Sequence, residues 1–193
     1  MSPARLNALT DGVVAVALTI MVLEVKFPAQ PTLHAVVAEL PLLAAYLLAF
    51  VNVAIYWNNH HHMMQASRKV TGGVLWANHA LLFCLTLFPV SIRWIDEAGV
   101  TPWPVASFGV VLVCAAAAYQ WLERALIAAE GEDSTVKRAV GTGFKEWISF
   151  ALYVASIPLA FVSPYISIAI YVGVSIIWVV PDRRFEPKPE GSP

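Results

Sequence analysis

The stretch LPLLAAYLLAFVNVAIYWNNHHHMMQAS, residues 40–67, contains no Asp, Glu, Lys or Arg and decides the class of fold. A helix crossing about 30 Å of hydrocarbon at about 1.5 Å per residue needs about 20 such residues. Further uncharged runs cover residues 12–23, 70–92, 98–122 and 147–181. The whole 193-residue chain is 59% apolar and 13% charged, with mean hydropathy +0.67, far beyond an ordinary soluble domain. The composition therefore predicts an all-α integral membrane protein.

Six transmembrane helices are expected, near 6–26, 38–60, 72–94, 104–127, 144–162 and 164–181, forming one domain over 1–181. The first uncharged run spans a bilayer only by taking in Asp11 and Glu24 at its ends, and Pro28 stops it. The last run is too long for one helix. Ser163-Pro164 divides it, because proline lacks an N–H and disfavours helix at the preceding residue, and Pro158 is expected to kink the first half. A secretory signal peptide does not fit, since Asp11, Glu24 and Lys26 flank the first core and no small-x-small cleavage site follows. The Pro- and charge-rich segment 182–193 is expected to be a disordered cytoplasmic tail.

Charge placement sets the expected orientation, because cytoplasmic loops collect bases. With the N-terminus inside, ten of the 12 bases are cytoplasmic and only Lys26 and Arg93 lie outside. Both termini are then cytoplasmic in a multi-pass protein of the cell (inner) membrane. The net charge of −1 excludes a nucleic-acid footprint. Cys84 and Cys114 show no C-x-x-C spacing, which excludes a zinc knuckle. Neither H-E-x-x-H, G-x-S-x-G nor a pair of converging carboxylates is present, so an enzyme is not expected.

Intramembrane ionisable residues point to function because they are expensive to bury alone. The first helix begins Arg5-Leu6-Asn7-Ala8-Leu9-Thr10-Asp11-Gly12, with Asn7 one turn from Asp11. Two readings stand: a buried polar network, or an Arg5 that snorkels to the inner surface with Asp11 and Thr10 capping the helix. At 100° per residue, Gly12, Val16, Ile20 and Leu23 fall within about 80° of one another, with Thr19 on the flank. Such a stripe faces lipid, another helix or a pore. The three histidines His60, His61 and His62 project about 100° apart on a helix and cannot all ligate one ion, so no metal site is expected.

Arg5-x-x-x-Leu9-Thr10-Asp11-Gly12-Val13 resembles the R-x-x-x-F-S-D signature that opens the transmembrane protein 175 family, potassium channels of lysosomes and bacteria. Leu9 and Thr10 replace the usual Phe and Ser, keeping bulk and hydroxyl. Tyr56-Trp57-Asn58-x-His60-His61, Trp76-x-Asn78, Leu87-Phe88-Pro89 and the Pro158/Pro164 hairpin extend the likeness over nearly the whole chain. The resemblance implies a potassium channel without a T-V-G-Y-G filter. Its pore is lined by the first helix of each subunit and narrowed at Val16, Ile20 and Leu23, with Gly12 and Thr19 flanking. It also implies a homotetramer, since one chain carries one copy of the motif, and potassium ions as the permeant partner, with no cofactor. Arg5, Asn7, Thr10, Asp11, Asn78 and one of His60 or His61 would form a polar network that fixes the first helix, with Asn58, Asn59 and His79 as further candidates. A weakly regulated leak follows, as no voltage-sensor row of arginines is present. The competing classes are a secondary transporter or proton-leak pathway, and a non-conducting structural bundle.

Overall fold

A computed structural model describes residues 2–26, 28–67, 69–131, 134–140 and 143–179, without the side chains of 139 and 140. The segment 182–193, together with Arg68, lies outside the described residues. The described chain is all-helical: α1 Pro3–Leu23, α2 Leu33–Ala38, α3 Leu40–Ala66, α4 Gly72–Leu85, α5 Phe88–Ala98, α6 Pro102–Glu130, α7 Thr135–Val140, α8 Phe144–Leu159 and α9 Pro164–Val179. Proline opens five of them, Pro3, Pro41, Pro89, Pro102 and Pro164 standing in the first turns, where the missing N–H has no intrahelical partner to lose.

Four helices are long and apolar enough to cross a membrane: Pro3–Leu23, Leu40–Ala66, the α4–α5 pair over Gly72–Ala98, and Pro102–Glu130. The last two, α8 and α9, hold 16 residues each, or about 24 Å at the helical rise. They pack as a hairpin across the turn at 160–163. Several boundaries differ from the sequence reading. The first helix runs 3–23: Pro3 starts it a turn early, and it ends before Glu24. The helix expected at 72–94 is broken at Thr86 and Leu87, where Pro89 cannot supply the N–H that a continuous helix would bond to Leu85. A short helix, α7, sits in the polar connection between α6 and α8. Glu130 accepts from the Ser134 hydroxyl (3.0 Å) and the Thr135 amide (3.1 Å), capping it, and Thr135 Oγ1 donates to the Ala66 carbonyl, tying it to α3. Pro158 lies in the last turn of α8 and coincides with its end rather than with a kink in mid-helix.

The long α6 is the post around which α4, α5, α8 and α9 pack. Small residues allow it: Ala115 and Ala118 are buried, and Gly109 lies so close to the Tyr171 hydroxyl that a Cβ there would collide with it. Gly131, at φ 81°, ends α6 in a conformation only glycine adopts freely. The first helix packs on α3, α4 and α5.

Candidate functional site

The first helix has two faces. Leu6, Thr10, Val14, Ala17 and Met21 recur at three- and four-residue spacing and are buried against α3, α4 and α5. Gly12, Val16, Thr19, Ile20 and Leu23 are exposed, with Val16 at 56%, Ile20 at 45% and Leu23 at 75%. At 100° per residue the centre of this stripe is about 140° from the centre of the buried face, so no element among the described residues covers it. Thr19 Oγ1 donates to the Val16 carbonyl at 2.9 Å, which uses its proton and leaves the oxygen able to accept on the exposed face.

Beside the stripe, Leu9, Gly12, Val16 and Ile20 of α1 and Val90 of α5 border an open groove of about 870 Å³. Charged groups mark its end near the C-terminus of α1, where Glu24 and Arg93 line it. Lys26 bonds Asp96 at 3.2 Å, linking the chain after α1 to α5, and Arg93 bonds Glu97 at 2.9 Å on α5 itself.

The buried face of α1 carries a polar cluster. His60 Nε2 lies 2.8 Å from Asn78 Oδ1, and Asn78 Nδ2 donates to Thr10 Oγ1 at 3.2 Å. All three residues are buried, Thr10 and Asn78 completely. In a medium without water such groups must satisfy one another, so the cluster fixes α1 against α3 and α4.

Other members of the expected network stand elsewhere. Asp11 is exposed and accepts from the Trp57 indole N–H at 2.7 Å, a second and separate tie to α3. Arg5 is exposed and makes no ion pair among the described residues. Asn7 is half-buried, its Oδ1 without a hydrogen-bond partner among the described residues. The reason is angular: Thr10, Asp11 and Arg5 project in directions about 100° or more apart, so one cluster cannot gather all three. Asp11 also sits two turns inside a helix that starts at Pro3, so it does not cap the N-terminus. His61 stacks on Trp57 and bonds Gln65, His79 bonds the Leu75 carbonyl of its own helix, and Asn59 bonds that of Ile55. Among the described residues no three His, Cys, Asp or Glu side chains are grouped to hold a metal.

A second buried polar cluster escaped the sequence reading. Asn52 Nδ2 donates to Ser175 Oγ at 3.0 Å, the Tyr153 hydroxyl donates to Asn52 Oδ1 at 3.4 Å, and Trp178 Nε1 donates to Ser149 Oγ at 2.9 Å. The signal was present: Ser149, Tyr153 and Ser156 on α8, and Ser167, Tyr171 and Ser175 on α9, recur at helical spacing. These rows are the mutual packing faces of the two short helices and their neighbours.

Comparison with known proteins places these features in context. Residues 5–89 match the family model described as the endosomal/lysosomal potassium channel TMEM175. A potassium channel of Chryseobacterium sp. (strain P1-3) is 45% identical over 186 residues, covering 96% of this chain and 97% of that one. A potassium channel of Streptomyces collinus (strain DSM 40733 / Tue 365) is 29% identical over 126 residues, 61% of each chain. The fold matches the crystal structure of a lysosomal potassium-selective channel TMEM175 homolog from Chamaesiphon minutus. The TM-score is 0.78 with 20% identity, over 96% of this chain and 98% of that one.

Proposed function

The chain belongs to the TMEM175 potassium-channel family, and on that premise we propose that it is a passive, potassium-preferring cation channel whose pore is walled by α1. The observation that carries this reading is the uncovered stripe of Gly12, Val16, Thr19, Ile20 and Leu23 on a helix whose opposite face is locked to its own chain. A single such stripe encloses nothing. Four copies arranged head to tail with a rotation that closes, a homotetramer, would turn the stripes to a common axis. Each chain crosses the inner membrane six times, counting α8 and α9, with both termini cytoplasmic.

Val16, Ile20 and Leu23 then form stacked apolar rings over about 10 Å of the axis. Such rings close a pore by dewetting and reopen with slight widening, which favours the more weakly hydrated potassium ion over sodium. The Thr19 oxygen lies between the rings as the polar group nearest a passing ion. Arg5 and Asp11 act at the inner end, holding the helix within the assembly, so Asp11→Ala is expected to abolish assembly or current.

The test is purified protein in liposomes under a potassium gradient, with flux recorded in potassium, in sodium, and for Leu23→Ala and Ile20→Ala. A potassium-favouring passive flux that rises or loses selectivity when Leu23 is shortened is the expected result. No passive flux from a correctly assembled oligomer would overturn it and leave a coupled transporter as the reading to pursue.

A further inference from the structure

The helices α3 and α9 run side by side in the same direction, and Asn52 of α3 bonds Ser175 of α9 at 3.0 Å well inside both. Between that bond and the helix starts lies a partly open cavity of about 300 Å³. Ala44, Ala45 and Leu48 form one wall, and Tyr165, Ile168 and Val172 the other. Pro41 to Leu48 and Tyr165 to Val172 each cover about 10 Å at the helical rise, so the space is a groove along the two helices. The bond between Asn52 and Ser175 closes its far end. Among the described residues none of α1 lines it, so it is separate from the stripe.

The floor of the groove is rigid and apolar. Phe108 and Tyr171 are buried there with ring centroids 5.5 Å apart, and Phe108 meets Phe88 edge-on at 5.6 Å. The Tyr171 hydroxyl donates to the Val105 carbonyl at 3.1 Å and presses against Gly109, so its proton is engaged within the chain. A trapped water needs about two to four polar partners, which walls built largely of Ala, Leu, Ile and Val do not supply. An empty apolar groove forfeits the dispersion contacts of its lining. Hydrocarbon restores them.

The mouth lies where a bilayer presents its headgroups. Tyr165 and Trp103 are exposed at this end, and Trp103 packs on Phe161, in the turn before α9, at 4.9 Å. Tyr and Trp collect at the membrane–water interface. Glu39 ends the uncharged run just before α3 at the same level. A further helix, about 10 Å across, does not enter a groove whose walls are joined by a single side-chain bond, whereas an acyl chain does.

We propose that this groove is a lipid site, which holds one acyl chain of a membrane phospholipid along α3 and α9 with its headgroup at the level of Trp103 and Tyr165. The acyl chain fixes the α8–α9 hairpin to α3 at this end, as the bond between Asn52 and Ser175 does further in. The site requires that the protein span a bilayer and does not depend on where the pore lies.

The experiment is native mass spectrometry of the purified full chain, delipidated in detergent and titrated with dioleoylphosphatidylcholine or with sodium oleate, alongside thermal unfolding in the same micelles. A ligand bound only to the folded state raises the melting temperature saturably. The wild type is expected to hold one phospholipid per chain and to show that rise. Ala44→Phe and Ala45→Phe place a ring in the groove and are expected to weaken phospholipid binding severalfold and to lose the rise. Leu43→Phe, on the neighbouring exposed face of α3, is expected to keep both. Ala44 is exposed, so Ala44→Phe supplies the result if Ala45→Phe does not fold. Phospholipid binding that both groove variants retain unchanged would overturn the proposal, as would no saturable binding by the wild type. So would oleate bound in place of phospholipid, the mark of a fatty-acid pocket, or phospholipid held by single chains but absent from the assembled oligomer, the mark of a face covered by a second copy.

Discussion

Two residues apart on α1, Met21 is fully buried and Leu23 is 75% exposed. Both are large, apolar and flexible, and hydropathy cannot separate them. Their surroundings do: Met21 belongs to the face that Leu6, Thr10, Val14 and Ala17 press onto the chain's own helices, and Leu23 to a face those helices leave open. In water an open apolar stripe would be a liability. In a bilayer it costs little, because lipid tails are as apolar as leucine. The buried face is thus set by folding of one chain, and the open face is the one that the proposed assembly and conduction would use.

Substitutions on the two faces sharpen that division. The largest loss of stability is expected at Asn78, where Leu would leave both His60 and the Thr10 hydroxyl buried without a partner. With each orphaned group costing about 1–3 kcal/mol, Asn78→Leu is expected to lose roughly 2–6 kcal/mol, measured by denaturant unfolding in micelles. A loss no greater than that of a surface substitution would remove the cluster from the account of what fixes α1. Next comes the pair on α1 itself. Met21→Ala removes packing without the full aqueous transfer term and is expected to cost about 1–2 kcal/mol, while Leu23→Ala costs less than about 0.5 kcal/mol. Flux reverses the order, with Leu23→Ala changing conduction and Met21→Ala leaving the flux per folded channel near that of the wild type. Equal effects of the two on either readout would break the comparison.

Much of this was legible in the residues. Uncharged runs located the four long helices because bilayer thickness and helical rise leave little freedom. The break at Thr86 and Leu87 was legible in Pro89 but was masked by the strength of the surrounding hydropathy. The helix α7 could not be read, since Thr135 to Val140 gains its cap from Glu130 and its anchor from the Ala66 carbonyl, contacts that no local pattern announces. The family resemblance singled out Thr10, Asn78 and one of His60 or His61. Their separation from Asp11 and Arg5 follows from the 100° step, while the pairing of Asp11 with Trp57 depends on how α1 lies across α3.

Smaller effects test how firmly each end of α1 is held. Trp57→Phe deletes the indole donor to Asp11 at an exposed site and is expected to cost about 1 kcal/mol or less in the unfolding measurement. Just beyond the C-terminal end of α1, Lys26→Ala removes the bond to Asp96. The Lys26 side chain there is 71% exposed and the Asp96 side chain 20%. Water competes for the ammonium and salt screens it, so a loss of about half a kcal/mol is expected, fading as ionic strength rises. A larger loss that persists in high salt would mean that this pair, rather than the buried cluster around Asn78, sets the position of α1 along the bundle. The freedom of the open face would then be controlled from the C-terminal end of the helix.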